Sequence, residues 1–569
     1  QYRVYSKAKD KATNLEDDKA GVLFTFDLSS PTSRVNLPLS GEHYGGKLKP
    51  LPVVSGTAYD LIGSSRVVVS IKEYDPAGLW WNGSTFTATS ESASWQETSL
   101  VGVVGTSTWT YTTALNLQSN YQYQIKAKAV DKALNEKISE NTIVFTFDTS
   151  SPTATVLIPE SGTPQYQYLP TLSGSFSDNS NGEVVTVKIK IQRMNDGQYY
   201  QGSGALWGDE VWIGTYTAVA VSFWSSSWTW TIPSSPFWET AKRYLITAKA
   251  LDKAGNEQDI FQDDVSSRAF ICDRDLPTSG VTVPNQQWVK QLTTISGTAL
   301  DPNSPYNSGV SGGQSKVDLV ISRLFGASTE YFDGSYWVTN RSTVPATAVS
   351  PPNFSDWYCA GVSGKWETDL KYKIETYAWD KIGNQQITPG VFTVIYDTTP
   401  PVSKINYPSS GSLLNALSQV TGTAVGPLSG VSDVYLKIWY LTAGTSNYWT
   451  GSTWSTNLST VTVTSFIAST WTYTTSVNWE TGYRHYINVY SKDNATNLES
   501  PGDTIYFLYD STAPTVAIST PLAGGFYGPA NPLNTIYGNA NDPGSNPSGL
   551  SRVEIQISSD TSYWHPGIN

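Results

Sequence analysis

Apolar and polar side chains alternate with a period of two along most of this chain. Val184-Val-Thr-Val-Lys-Ile-Lys-Ile191 shows the pattern plainly, and Val67-Val-Val-Ser-Ile71 and Val434-Tyr-Leu-Lys-Ile-Trp439 repeat it. Such alternation sends one face of an extended strand into a core and the other toward water. Pro152-Thr-Ala-Thr-Val-Leu-Ile158 reads as an earlier strand ended by Pro159, Leu169-Pro-Thr-Leu-Ser-Gly174 as the next, and Tyr244-Leu-Ile-Thr-Ala-Lys-Ala250 as a late one. Aromatic hairpins with tight-turn residues lie between, clearest in Tyr448-Trp-Thr-Gly-Ser-Thr-Trp454. No segment sustains a 3.6-residue period, so helix is expected to be nearly absent. Seven or more short strands per unit predict an all-β fold built from two-sheet antiparallel sandwiches.

The pattern repeats at domain length. Asp10-Lys-Ala-Thr-Asn14 returns as Asp131-Lys-Ala-Leu-Asn135, Asp252-Lys-Ala-Gly-Asn256, Asp380-Lys-Ile-Gly-Asn384 and Asp493-Asn-Ala-Thr-Asn497. Each is followed by Asp-x-x-x-Pro, at Asp27, Asp148, Asp273, Asp397 and Asp510. A period on the order of a hundred residues makes each unit a whole domain rather than one turn of a solenoid. The expected division is 28–148, 149–273, 274–397 and 398–510, with the C-terminal part of a module at 1–27 and the N-terminal part of another at 511–569. Both ends fall inside a module, so a segment of a longer polypeptide is expected.

The run Asp-x-x-x-Pro, then Gly-Thr-Ala, then Tyr-x-Ile-x-Ala-x-Ala-x-Asp-Lys-Ala-Gly-Asn resembles the bacterial immunoglobulin-like tandem repeats of large surface and secreted proteins. The resemblance covers every module. It implies a tandem array of immunoglobulin-like sandwiches at the cell surface or outside the cell. It does not select a function, because such repeats serve as stalks, adhesin shafts, filament subunits and enzyme spacers alike.

Composition narrows the classes. The net charge is −12 over 569 residues without long runs, which argues against nucleic acid, whose phosphates need clustered Lys and Arg. No apolar stretch approaches the length that spans a bilayer. Cys272 and Cys359 are the two cysteines, and each replaces an aromatic found at that place in other modules. Two readings stand: a disulfide closing a long loop, worth about 4 kcal/mol in the chain-entropy picture, or two separate buried thiols acting as small apolar groups.

Two sets of residues could carry chemistry. In a sandwich of this type alternate loops gather at opposite ends. That placement predicts three carboxylates converging at each junction: Asp27, Asp60 and Asp131; Asp148, Asp178 and Asp252; Asp273, Asp301 and Asp380. Hard cations such as Ca²⁺ take six to eight oxygens, commonly carboxylates and carbonyls, so Ca²⁺ at the joints is one expectation. Turn-capping by the same Asp residues is the other. The fourth junction keeps Asp397 and Asp493 but carries Val425-Gly-Pro427 where a loop Asp is expected. The second set is aromatic. The chain has 21 Trp, and the hairpin residues Trp80, Trp81, Trp207, Trp212, Tyr331, Trp337, Trp449 and Trp454 would pack across strands, contact a neighbouring module or chain, or stack on a glycan.

Catalysis finds little support: three histidines, none with a repeated carboxylate or Ser partner, and no His/Cys set at metal spacing. The reading is therefore a non-enzymatic structural segment of a long extracellular or cell-surface protein, an adhesin shaft or a subunit of a surface filament or sheath. Its expected partners are copies of itself, other surface proteins or glycans. The alternatives are a glycan-binding surface protein and an accessory region of a secreted hydrolase.

Overall fold

The computed structural model describes residues 1–75, 78–102, 104–179, 182–202, 206–217, 226–232, 237–303 and 305–564. The chain divides into two compact units. The first is Gln1–Asp275 with Asn303–Ser308, and the second is Leu276–Pro302 with Gly309–Asn569. Each holds two β-sandwiches. Among the described residues the helical content is one short 3₁₀ turn, Glu91–Ala93.

The four sandwiches occupy residues 32–147, 153–272, 278–396 and 402–509 and share one strand order, the smaller sheet of the second showing three strands among the described residues and that of the others four. In the last, the smaller sheet runs in the order Val402–Tyr407, Gln419–Val425, Thr470–Thr474, Ser465–Ile467. The larger sheet places Ser412–Leu414 beside Asp503–Tyr509, then Tyr483–Asp493, Val431–Thr442 and the hairpin strands Thr445–Trp449 and Trp454–Ser455. The short strand Ser412–Leu414 pairs parallel with the final strand, and the other pairings are antiparallel. That order is the immunoglobulin-like arrangement, in which the first strand contributes to both sheets.

The predicted alternation decides which face is inside. Val434, Leu436 and Ile438 are buried, whereas Asp433, Tyr435 and Lys437, which alternate with them, face outward. Each sandwich closes its own core: around Val69, Ile125 and Phe145 in the first; Ile189, Ile246 and Phe270 in the second; Ile321, Ile374 and Val394 in the third; Leu436, Ile487 and Phe507 in the fourth.

The glycine of the Gly-Thr-Ala signature is fixed by close approach. Trp109, Trp228, Trp357 and Trp471 lie across Gly56, Gly174, Gly297 and Gly422 of the neighbouring strand. A Cβ on Gly422 would fall 2.0 Å from the Lys404 carbonyl oxygen and 2.3 Å from the Trp471 ring. The indole N–H of Trp471 donates to the Thr423 carbonyl at 3.1 Å, and that of Trp109 to Thr57 at 3.3 Å. The indoles of Trp109, Trp228 and Trp471 are thus sunk in the core with their one polar group satisfied, the N–H of Trp228 by the Thr155 carbonyl at 2.9 Å.

Candidate functional site

The Asp-Lys-Ala-Gly-Asn turn does two jobs. Asp252 accepts the Asn256 backbone N–H at 2.7 Å and its side-chain amide at 2.8 Å, so the turn is capped by its own carboxylate. The Asn256 amide also donates to the Asp148 carbonyl, in the linker that enters the module, at 2.9 Å. Asn135 reaches Asp27 in the same way at 3.2 Å, and Asn497 reaches Asp397 at 2.8 Å. Asn suits the position because it is short and its amide offers two donor hydrogens. In the first unit, a loop of the preceding sandwich meets the same turn. The N–H of Gly46 donates to Ala254 at 3.1 Å and that of Leu48 to Gly255 at 3.2 Å. The second unit has a related contact, from Lys290 Nζ to the Thr496 carbonyl at 2.9 Å.

Carboxylates gather at these turns. Asp27, Asp60 and Asp131 each place an oxygen within 4.8 Å of the others, and so do Asp148, Asp178 and Asp252. Asp60 and Asp131 are buried, as are Asp148 and Asp252. Asp60 accepts the N–H groups of Ile62 and Gly63 at 2.8 Å. Asp148 accepts Ser119, Ser150 and the Asn179 amide through one oxygen, at 3.0, 2.9 and 2.8 Å. Its other oxygen, with Asp27 Oδ2 and Asp178 Oδ2, is buried without a hydrogen-bond partner. No Lys or Arg forms an ion pair with any of the six among the described residues. Burial, with Asp148 and Asp252 alongside, pushes the Asp178 carboxyl up to about 6. Burial also raises Asp252, against the pull of its Asn256 bonds. Buried like charges with orphaned oxygens are costly unless a cation or a proton joins them. An all-oxygen set of this span suits a hard divalent cation, and it lacks the nitrogen or sulfur ligands that structural zinc prefers.

The remaining junctions differ. Asp273 belongs to the first unit, whereas Asp301 and Asp380 belong to the second. At the fourth junction Asp397 and Asp493 are both buried, and Asp397 Oδ2 has no partner. Counting four residues on from the signature glycine, as from Gly56 to Asp60, places Gly426 where the third carboxylate would stand. The same count from Gly538 reaches Asp542, which lies outside the two repeated signatures. Asp542 accepts the Gly549 N–H at 2.7 Å while Asp510 accepts that of Ser548 at 2.8 Å. Its signal, Ile536-Tyr-Gly-Asn-Ala540 followed by Asn-Asp542, was present in the chain.

Of the hairpin aromatics, Trp81, Trp207, Trp337, Trp449 and Trp454 join the cores, whereas Trp80, Trp212 and Tyr331 do not. Trp81 and Trp449 are each 1 % exposed, and Trp80, Trp207, Trp212, Tyr331, Trp337 and Trp454 are half-buried. Trp81 donates to the Tyr111 hydroxyl at 2.8 Å and Trp449 to that of Tyr473 at 3.1 Å. Trp337 packs on Tyr372 and Trp207 on Tyr244. Trp212 stacks on Phe261 and lies under Lys190 and Lys249. The hairpin strands extend the large sheet, so one face of each carries rings into the core while Trp80, opposite Lys72, and Tyr331, opposite Ser322, lie on the other face.

The cysteines are both free thiols, which corrects the disulfide reading. Cys272 lies in the core of the second sandwich and Cys359 in that of the third. Each points inward because it takes an inward aromatic's place on its strand. Burial raises both thiols to about 11. His485 likewise replaces a core tyrosine. Tyr123, Tyr244 and Tyr372 each accept a backbone N–H five residues back, from Gln118, Glu239 and Glu367. His485 Nε2 faces the Glu480 carbonyl at 3.0 Å.

No family model matches this chain, and no curated protein matches it. Solved structures do. One is a tetra-tandem repeat from the extending region of a large adhesion protein, with 17% identity and a TM-score of 0.31, covering 81% of this chain and 95% of that one. Another concerns host cell surface retention of a 1.5-MDa bacterial ice-binding adhesin, with 13% identity and a TM-score of 0.28, covering 65% of this chain and 100% of that one. The FN1–FN3 domains of chicken CNTN1 match with 11% identity and a TM-score of 0.21, covering 61% and 100%. Likeness at this level transfers no function. The class rests on topology: this is an all-β protein of repeated immunoglobulin-like sandwiches with acidic joints. No helix among the described residues is long and apolar enough to cross a membrane.

Proposed function

We propose that the chain is a mechanical spacer, a segment of a long extracellular or cell-surface protein such as an adhesin shaft or a filament or sheath subunit. Its modules are 28–148, 149–273, 274–397 and 398–510, flanked by parts of two more. Ca²⁺ at the joints resists bending. The observation that carries this reading is the repeated joint. The same Asn that caps the last turn holds the entering linker, and buried carboxylates with orphaned oxygens collect around it. A cation there would join the linker Asp, the loop Asp and the turn Asp, and so restrict the hinge from three directions.

Ca²⁺ titration of the whole chain by calorimetry at pH 7.5 is expected to show binding that Asp60→Asn and Asp178→Asn each diminish. Thermal unfolding of the first two modules should move upward with Ca²⁺. Identical unfolding in Ca²⁺ and in EGTA would end the cation part of the reading.

A further inference from the structure

The outward face of the large sheet in the fourth sandwich carries a row of aromatic rings that the fold does not require. Tyr448, Trp439, Tyr486 and Tyr506 stand directly opposite one another on four adjacent strands. Successive ring centroids are 6.5, 5.1 and 6.3 Å apart. Tyr506 is 41% exposed and the other three are half-buried.

In the other sandwiches the row has one aromatic, at the hairpin place of Tyr448: Trp80, Tyr199 and Tyr331. The cross-strand pair equivalent to Trp439 and Tyr486 is Lys72 with Gln124 in the first, Gln192 with Leu245 in the second and Ser322 with Lys373 in the third. All three close their cores without an aromatic at either place. Cross-strand ring pairs stabilise a sheet by only about 1 kcal/mol.

Charge on the same face gives the row a direction. Lys437 lies on one side of it, opposite Asn488, and Arg484 on the other, opposite Leu508. Lys437 sits over the Trp439 ring and Arg484 over the Tyr506 ring, at 5.1 and 4.8 Å. Neither forms an ion pair among the described residues. Asp433, the carboxylate farther along the strand, is opposite Lys492. A chain of net charge −12 therefore presents here a strip with unneutralised positive charge on both flanks.

We infer that this face binds a linear acidic polysaccharide of the polyuronate class. Sugar rings have apolar C–H faces that stack on aromatic rings. Neighbouring strands are about 4.8 Å apart, close to the length of one pyranose unit, so a row across the sheet meets successive sugars. The carboxylates of the polymer are complementary to Lys437 and Arg484, and the Tyr hydroxyls supply hydrogen bonds to sugar hydroxyls.

The test is affinity electrophoresis of the whole chain through gels containing polygalacturonate, with EDTA present so that Ca²⁺ cannot bridge polymer to the joints. Gels containing neutral dextran serve as the comparison. Wild type should be retarded by polygalacturonate and not by dextran. Trp439→Ala/Tyr486→Ala should weaken binding roughly tenfold or more. Lys437→Gln/Arg484→Gln keeps the rings and should also lose retardation, so the claim stays testable if the first variant folds poorly. Absence of retardation, equal retardation of all three proteins, or equal retardation by dextran would overturn it. Trp439-dependent self-association in sedimentation equilibrium would assign the face to a second copy of the chain and overturn it as well.

Discussion

Single residues set the acid response of this protein. His485 occupies the buried place held by tyrosine in the other three sandwiches, and burial lowers its pKa to about 4. The folded state therefore keeps it neutral, while the unfolded chain takes up a proton below about pH 6.5. Stability from this site is fully present above that pH and is lost as pH falls toward 4, by about 3 kcal/mol across the window. Denaturant melts at pH 7 and pH 4.5 should show the fourth sandwich weakening most, and His485→Tyr should remove the difference. An acid response unchanged in that variant would refute the assignment. Asp178 works in the opposite sense. With its carboxyl raised to about 6, the cation-free fold gains nothing from ionising it, and stability falls as pH rises from about 4 through 6. Asp178→Asn should stabilise the EGTA-treated protein at pH 7.5 by on the order of 1 kcal/mol while lowering its affinity for Ca²⁺. A variant less stable than wild type in EGTA would contradict this account.

Strands and hairpins show what alternation can and cannot say. The inward set Val434, Leu436 and Ile438 was readable from period alone, because each step along a strand reverses the side chain. The signature glycine was readable as a motif, but its cause was not: a tryptophan from a strand about fifty residues away lies across it. Trp471→Ala should cost the fourth sandwich about 3–5 kcal/mol, and Gly422→Ala should be destabilising although it only adds a methyl. Urea unfolding of both variants would check this, with the other three cores expected to melt as in wild type. The hairpin aromatics were found by sequence and left open between core, contact and glycan, because a two-residue turn does not say toward which sheet face the hairpin folds. The structure turns Trp81 and Trp449 into the core, whereas the outward row joins Trp439 and Tyr486 from two strands that are far apart in sequence.

For the molecule as a whole, the joints decide behaviour. The first two gather three carboxylates each, while the fourth has Gly426 in the place of the third. Limited proteolysis is expected to cut the linkers near Asp27 and Asp148 faster in EGTA than in Ca²⁺. Cleavage near Asp397 should proceed at one rate in both. Equal calcium protection at all three linkers would show that the loop carboxylate is not needed.

The chain by itself determined its class, its strands, the repeated turn and most of the acidic residues at the joints. Those properties are local: a period of two, a capping carboxylate and a recurring spacing each act within a few residues. Only the tertiary structure decided that the Asn of the turn holds the preceding linker, that Cys272 and Cys359 sit in separate cores, and which aromatics face water. Those outcomes join groups far apart in sequence, and the choice among them is made by how two sheets close on each other.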